Sequence, residues 1–537
     1  MARGSTDNPA MAVSGESPAR PDGTPGLSKV RVFCAALLLG YLFLLCDKAF
    51  LSAGGSDSSG YLNAAKLFSR GKLTDAVEPL KRLGLSQEFA RVFIPLGFSP
   101  GARPGTMVPS YPPGLPLHMA VAARVGGWAR APFRVSPVAA TVCLLLVYGI
   151  GRELGITRAL SVAAAACLSV FASFFWFGLQ PMSDVPATAW VLAAMLAALR
   201  ARSGSGAAYL CGTAFGMAVL VRPTNILLAV PLLLALPFER RTLLRVALGG
   251  LPLAWFLFLT NQIANGSPFR SGYGDMSSGF SLGFFPVRIR HYGYWLSALG
   301  TPFLVLGWLA VAGVRSLPRR DRLMLVAWPA VFLVFFCCWQ PYETWWYTRF
   351  LLPAVPAMIL AMFFVVERGF RPAGETGDPV RTPRGPKILG LALSVVVLAT
   401  GIFWIRRFHL VDSARGEEIY PDTCRWAAAQ VPPNSVIAAM QMTGAMRYYT
   451  GSTFARIDWI EPAAFPALRS RIEAAGYHWY ALVGPAEKEL LQKNLPGARK
   501  EIARLRDQTL LRLDDTAPGD LPRSIPSAAS DSEPPAM

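Results

Sequence analysis

The sequence predicts an α-helical polytopic membrane protein carrying a small α/β domain outside the bilayer, on three observations. Of its 537 residues, 53% are apolar and only 16% are charged, against roughly 25% charged in a soluble domain. The mean hydropathy of +0.37 comes from repeated long runs free of Asp, Glu, Lys and Arg. After Tyr420 the pattern changes to short helices alternating with short apolar strands, as in a soluble unit. A net charge of +19 would raise the question of nucleic acid in a soluble chain, but its distribution assigns it to membrane topology.

A helix needs about 20 mainly apolar residues to cross a hydrocarbon core of ~30 Å. About eleven transmembrane helices are therefore expected, near 32–53, 135–151, 159–179, 184–199, 203–221, 223–238, 246–264, 292–314, 323–339, 350–366 and 388–405. Short cytoplasmic loops retain Lys and Arg, and here the basic residues of the short connections cluster in every second one. These are Arg152 and Arg158, Arg200 and Arg202, Arg240 to Arg245, Arg315 to Arg322, and Arg368 to Lys387. The alternation puts the N-terminus inside and the C-terminal domain outside a cytoplasmic membrane, which accounts for the charge without nucleic acid as a partner. Arg20, Lys29 and Arg31 precede the first span, and no small-residue cleavage pattern follows it, so it reads as a retained anchor. Residues 1–28 and 516–537 are rich in residues that bury no core and are expected to be disordered. The domain order is then a multi-span region over 29–405 and an α/β domain over 406–515. Seven of the eight cysteines lie in apolar spans and Cys424 stands alone outside, so no disulfide or zinc framework is indicated.

Three outward segments can carry chemistry. In the first, 54–134, Tyr61, Ala64, Ala65 and Phe68 share a helical face, which predicts an interfacial helix lying on the membrane. Asp57 at its N-terminus reads either as a cap or as a carboxylate able to accept a proton. Further along, Tyr111-Pro112-Pro113 forces an extended turn before a second helix too short to span, with His118 one turn inside it. His118 reads as a packed residue or as a site residue. Between two spans, Gln180 to Pro186 carries Asp184, either near a helix cap or an acid at the mouth of the bundle. Glu343 and Arg349 lie in the aromatic stretch from Gln340 to Pro353. Arg349 and Arg222 are the Arg residues of the short outward connections. Each reads as a snorkelling side chain or as a clamp for a phosphate.

The second segment, 265–291, is rich in Gly and Phe and contains Asp275 and His291. It looks like a loop that covers a cavity. In the third, after Arg406, helices are expected at 422–430, 466–475 and 486–494 and strands at 435–440, 455–460, 479–483 and 509–513. The aromatic stretches around Tyr448-Tyr449 and Trp479-Tyr480 are either core packing or an acceptor surface. No Gly-rich phosphate loop precedes a helix there, which argues against a nucleotide.

The succession SDSSGY (Ser56–Tyr61), YPPGLPL (Tyr111–Leu117), PMSDVPATA (Pro181–Ala189), VLVRPTN (Val219–Asn225) and WWYTRFLLP (Trp345–Pro353) resembles the GT-C superfamily of multi-span glycosyltransferases. The resemblance is to the family 39-like set around the protein O-mannosyltransferases and the bacterial aminoarabinose lipid A transferases, and it runs over roughly residues 30–405. It implies an inverting transferase that takes a sugar from a polyprenyl-phosphate donor to a protein, lipid or glycan acceptor on the outer face of the membrane. It further implies Asp57 as the general base and Arg349 and Arg222 as holders of the donor phosphate. Tyr61, Tyr111, His118, Asp184, Asp275 and Glu343 would support or bind substrate. The protein O-mannosyltransferases have an acidic pair where this chain has Asp57 followed by Ser58. No metal-binding cluster stands out, so no cofactor is assigned and a divalent metal stays open. A transporter or flippase of a lipid-linked sugar is the alternative. Against it stand the absence of a visible internal repeat or of broken helices and the large first outer loop.

Overall fold

The computed structural model describes residues 25–204, 206–368, 384–497 and 499–513. Residues 1–24 of the expected disordered N-terminal segment, the tail over 516–537, and Arg371 and Arg381 lie outside the described residues, whereas residues 25–28 begin the helix Pro25–Asp47.

The membrane part is helical but less regular than eleven straight spans. Pro132–Glu153, Arg240–Asn265 and Gly385–Arg407 are each long and apolar enough to cross a bilayer. Among the described residues three further pairs pass only jointly, bent by 64° between Ser169 and Ala172, by 109° between Gly300 and Pro302, and by 82° between Leu351 and Val355. The expected spans 159–179, 292–314 and 350–366 are thus each corrected to a broken or turned element. At the sharpest break, Thr301 takes φ +67° immediately before Pro302, whose ring disfavours the helical region for its predecessor. The expected span 223–238 also opens irregularly, as a 3₁₀ stretch Pro223–Leu228 ahead of Ala229–Ala235. Irregular backbone at membrane depth is tolerated where it is buried in protein or lines a cavity, and two of these stretches end beside the site described below.

The first outer loop forms the helix Gly55–Phe68, the helix Gly114–Gly126, and between them a small antiparallel sheet that the sequence reading missed. Its strands are β1 (Asp75–Ala76), β2 (Phe98–Pro100) and β3 (Thr106–Pro109), in the order β1-β3-β2. The second helix fits an interfacial position, with Val121 and Val125 65% and 88% exposed. The first does not lie on a membrane surface: its residues from Ser59 to Ala65 are all buried. It packs between the Gly114–Gly126 helix and the helix Thr443–Tyr449 of the C-terminal region.

That C-terminal region is a five-stranded sheet, β4 (Ser435–Ala439), β5 (Thr453–Arg456), β6 (His478–Val483), β7 (Lys500–Leu505) and β8 (Gln508–Arg512), in the order β5-β4-β6-β8-β7. β4 runs parallel to β5 and β6, and the β7-β8 hairpin adds antiparallel at the edge of β6. Three of the four expected strands are present in place, while the one expected over 455–460 lies earlier, as β5, and gives way to a 3₁₀ turn Ile457–Trp459; β7 and the helix Thr443–Tyr449 were not anticipated. Trp479 and Val436 of the sheet share one apolar cluster with Leu67, Phe89, Phe93 and Met107 of the first outer loop. The two outer segments are therefore held together by common hydrophobic burial.

Candidate functional site

Four charged side chains from four separate parts of the chain meet at one point. Asp57 stands in the first turn of Gly55–Phe68, Asp184 opens the helix Asp184–Arg200, Arg222 precedes Pro223–Leu228, and Arg349 lies in the 3₁₀ turn Trp345–Leu351. Arg349 donates through Nη2 to Asp57 Oδ2 at 3.2 Å and through Nε to Asp184 Oδ1 at 3.0 Å. Arg222 donates to the same Asp184 oxygen. The planar, forked guanidinium allows one Arg to bridge two carboxylates, which a Lys ammonium does less well. Phe177 lies under Arg349, 4.8 Å from ring centroid to guanidinium carbon, and Phe350 lies 5.4 Å from that of Arg222. The rings add cation–π attraction and limit water.

The two carboxylates differ in access. The Asp184 side chain is 0% exposed and that of Asp57 is 33% exposed. Only Asp57 can touch a ligand; Asp184 orients the two cations. No side-chain cap closes the helix Gly55–Phe68 at Gly54, so the capping reading of Asp57 gives way to its pairing with Arg349. Likewise Ser183 occupies the cap position of its helix without capping it; its Oγ meets the Tyr61 hydroxyl, which donates to it at 3.0 Å. Arg349 borders the span expected from residue 350, yet it sits in a 3₁₀ turn before the helix Val355–Arg368, where backbone bending rather than a helix dipole aims it.

Asp57, Arg222 and Arg349 line a cavity of about 930 Å³, together with Tyr61, Tyr111 and Tyr273. The Tyr111 hydroxyl is 2.7 Å from Ser56 Oγ, and the Tyr61 and Tyr111 rings are 4.7 Å apart. Burial first, and the nearby Asp57 charge among the further causes, push both tyrosine pKa values above their ordinary range, so both stay neutral hydroxyls rather than bases. The wall away from the charges is apolar, with Leu257, Phe258, Phe269, Phe335 and Trp339. Trp255 and Leu251, on the same helix as Phe258, are 68% and 61% exposed, so this side of the cavity adjoins an apolar outer face. The 265–291 loop supplies Phe269, Gly272, Tyr273 and Met276 to the lining. Gly272 lies against the backbone of Pro109 and Ser110 with no room for a Cβ.

Three expected site residues are not brought there. His118 Nδ1 is 2.7 Å from the Gly114 carbonyl and its Nε2 accepts from Trp190 Nε1 at 3.0 Å; with both ring nitrogens engaged, it is a packed histidine. Asp275 accepts from the Ser277 backbone N–H at 2.8 Å in an exposed turn, while its neighbours Gly274 and Met276 line the cavity. Glu343 is exposed and absent from the lining, because the chain turns Tyr342 inward instead. His291 also lies off the cavity. Missed by sequence reasoning were Ser56, Ser183, Phe177 and Phe350. Ser56 and Ser183 are adjacent to expected residues, but Phe177 and Phe350 look like any apolar span residue. Among the described residues no group of three His, Cys, Asp or Glu side chains converges as metal ligands.

A family model described as dolichyl-phosphate-mannose-protein mannosyltransferase matches residues 110–263, a stretch that contains Tyr111, Asp184 and Arg222. No curated protein matches the chain by sequence. Among solved structures, ArnT from Cupriavidus metallidurans in the apo state is similar with a TM-score of 0.59 at 13% identity, over 91% of this chain and 98% of that one. The same protein bound to undecaprenyl phosphate gives 0.56 at 15% identity, over 90% and 98%. The arabinofuranosyltransferase AftD from Mycobacteria gives 0.52 at 12% identity, over 90% of this chain and 41% of that one. At these identities the likeness is one of fold.

Proposed function

We infer from this shared GT-C fold that the chain is a membrane glycosyltransferase using a lipid-linked sugar donor, and we propose that Asp57 is its general base. The observation carrying the reading is the convergence of Asp57, Arg349, Asp184 and Arg222 at the polar end of a cavity whose other wall is apolar. A polyprenyl-phosphate sugar has that same division, with an anionic phosphate at one end and a hydrocarbon chain at the other. In the family model's description the donor is dolichyl phosphate mannose, and the similar ArnT structure holds undecaprenyl phosphate.

In the proposed reaction the acceptor hydroxyl attacks the anomeric carbon and gives its proton to Asp57. The bond from that carbon to the phosphate oxygen breaks, and the polyprenyl phosphate leaves with the electron pair. Attack opposite the leaving group inverts the anomeric centre. The phosphate is already an anion, so the protein's task is to hold and neutralise it with preset cations and to align the base. Without donor, the four charges balance, two positive against two negative. An arriving phosphate competes with Asp57 for Arg349 Nη2; winning that contact frees the carboxylate for the acceptor proton, while Asp184 keeps both guanidinium groups in place. The active face is the outer side of the cytoplasmic membrane, with the C-terminal sheet outside. The acceptor is a protein, lipid or glycan.

The test is to incubate the purified chain with a panel of radiolabelled polyprenyl-phosphate sugars and membrane extract, with and without a chelator to report on a divalent ion. Label should move from the lipid to an acceptor, with inverted linkage. Movement of intact labelled lipid across liposomes without any transfer would replace the enzyme with a flippase.

A further inference from the structure

A second polar cavity, about 290 Å³, lies on the other side of the helix Gly55–Phe68, between the first outer loop and the C-terminal sheet region. Six charged side chains line it: Lys66, Arg70, Arg82 and Arg447 against Asp75 and Glu78. Arg447 and Asp75 are paired at 2.5 Å, which leaves three cations facing the one remaining carboxylate. Lys66 Nζ donates to the Tyr448 carbonyl at 2.8 Å and lies 3.6 Å from the Tyr448 ring centroid. Burial, and then the Arg70 and Arg447 charges, hold the Lys66 pKa below the ordinary lysine value, as expected where positive charge is in excess. Among the described residues the Arg70 and Arg82 guanidinium groups make no ion pair or hydrogen bond, although both border the cavity. Asn63 and Thr450 add neutral polar groups to its wall.

We propose that this cavity is a second anion site, which binds the phosphate or carboxylate of a ligand other than the sugar donor. Lys66 lies about 14 Å along the helix from Asp57, at ~1.5 Å rise per residue, so the donor phosphate beside Arg349 does not reach it. Phe68 and Leu73, from the same stretch of chain, line the main cavity, so a ligand anchored here lies alongside the reaction centre. If the transferase reading holds, on which this last step rests, the anchored ligand is an acceptor carrying an anionic group, held beside the reaction centre. The anion itself is supplied either by a soluble ligand or by the head group of a lipid-borne one.

The probe is radiolabelled inorganic phosphate, measured by equilibrium dialysis against the full chain in phosphatidylcholine nanodiscs. An Arg349→Gln background removes the principal cation of the main cavity from the measurement. Phosphate should still bind in that background, and adding Arg70→Gln with Arg82→Gln should weaken it by about tenfold or more, as the loss of charge-assisted hydrogen bonds predicts. Both Arg residues are exposed, so the replacements leave the fold intact. Binding that is insensitive to this pair in the unmodified chain, or that is abolished by Arg349→Gln alone in protein that keeps a cooperative melting curve, overturns the proposal. Repeating the measurement with phosphatidylglycerol in the nanodisc assigns the source: competition that needs Arg70 and Arg82 identifies a lipid head group, and its absence identifies a soluble anion. Because no sugar transfer is read, a failed transferase assay leaves this result standing, and failure here leaves the transferase untouched.

Discussion

At the scale of single residues, exposure separates two aspartates that the sequence presents alike. Asp57 is partly open to the cavity and is the proposed base, so Asp57→Asn should fold with unchanged thermal stability while losing about 10²- to 10⁴-fold in transfer rate; near-normal turnover of the purified variant would remove it from the mechanism. Asp184 is fully buried and holds Arg222 and Arg349 together. Deleting one member of a buried pair leaves uncompensated charge at a cost of about 3–5 kcal/mol. Asp184→Asn should therefore show a marked fall in melting temperature together with loss of activity, and an unchanged melting curve would contradict its orienting role. The candidates Asp57, Arg222 and Arg349 were legible because charge in an outward turn of a membrane protein is unusual. His118, Asp275 and Glu343 were equally unusual by that measure, and local hydrogen bonding or side-chain direction took them out of the site.

At the scale of elements, the helix Gly55–Phe68 places Asp57 through close approach of small residues. Gly60 has no room for a Cβ between the Tyr111 ring and Gly97, and Gly444 none beside Ser59. Gly97 adds a backbone constraint, with φ +82°, where a side chain costs roughly 1–2 kcal/mol. Gly71 has φ +71° and open space around it. Gly97→Ala should thus lower the melting temperature more than Gly71→Ala and also reduce transfer, because its Cβ drives the Asp57 helix out of place; equal effects in the two variants would show that the backbone term alone matters. The amphipathic period of this helix was readable, but what it packs against was not. Its sequence suits an interface between lipid and water as well as one between two protein layers.

At the scale of the whole molecule, the C-terminal sheet region and the membrane part are joined over the helix that carries the base. Asn63 Nδ2 donates to the Gly444 carbonyl at 2.8 Å, and the Ala53 N–H donates to the Tyr449 hydroxyl at 2.8 Å. With the apolar cluster shared by the first loop and the sheet, these contacts make the C-terminal region part of the support for the site. A chain ending after Arg407 should still insert into the membrane, since its spans are intact, but should have lost transfer activity and gained protease sensitivity between residues 55 and 110. Full activity in that truncated protein would mean that the first loop orders itself without the sheet.

That this is a multi-helix membrane protein with a separate α/β region can be read from the chain alone, because hydrophobic runs and the change of period after Tyr420 are local signals set by solvent preference. The sequence also marked the turns from which Asp57, Asp184, Arg222 and Arg349 project. That these four side chains meet, that one aspartate is sealed while the other is open, and that several spans break became visible once the chain was folded. Those outcomes depend on how distant segments pack and which groups lose their water, and no local pattern encodes that.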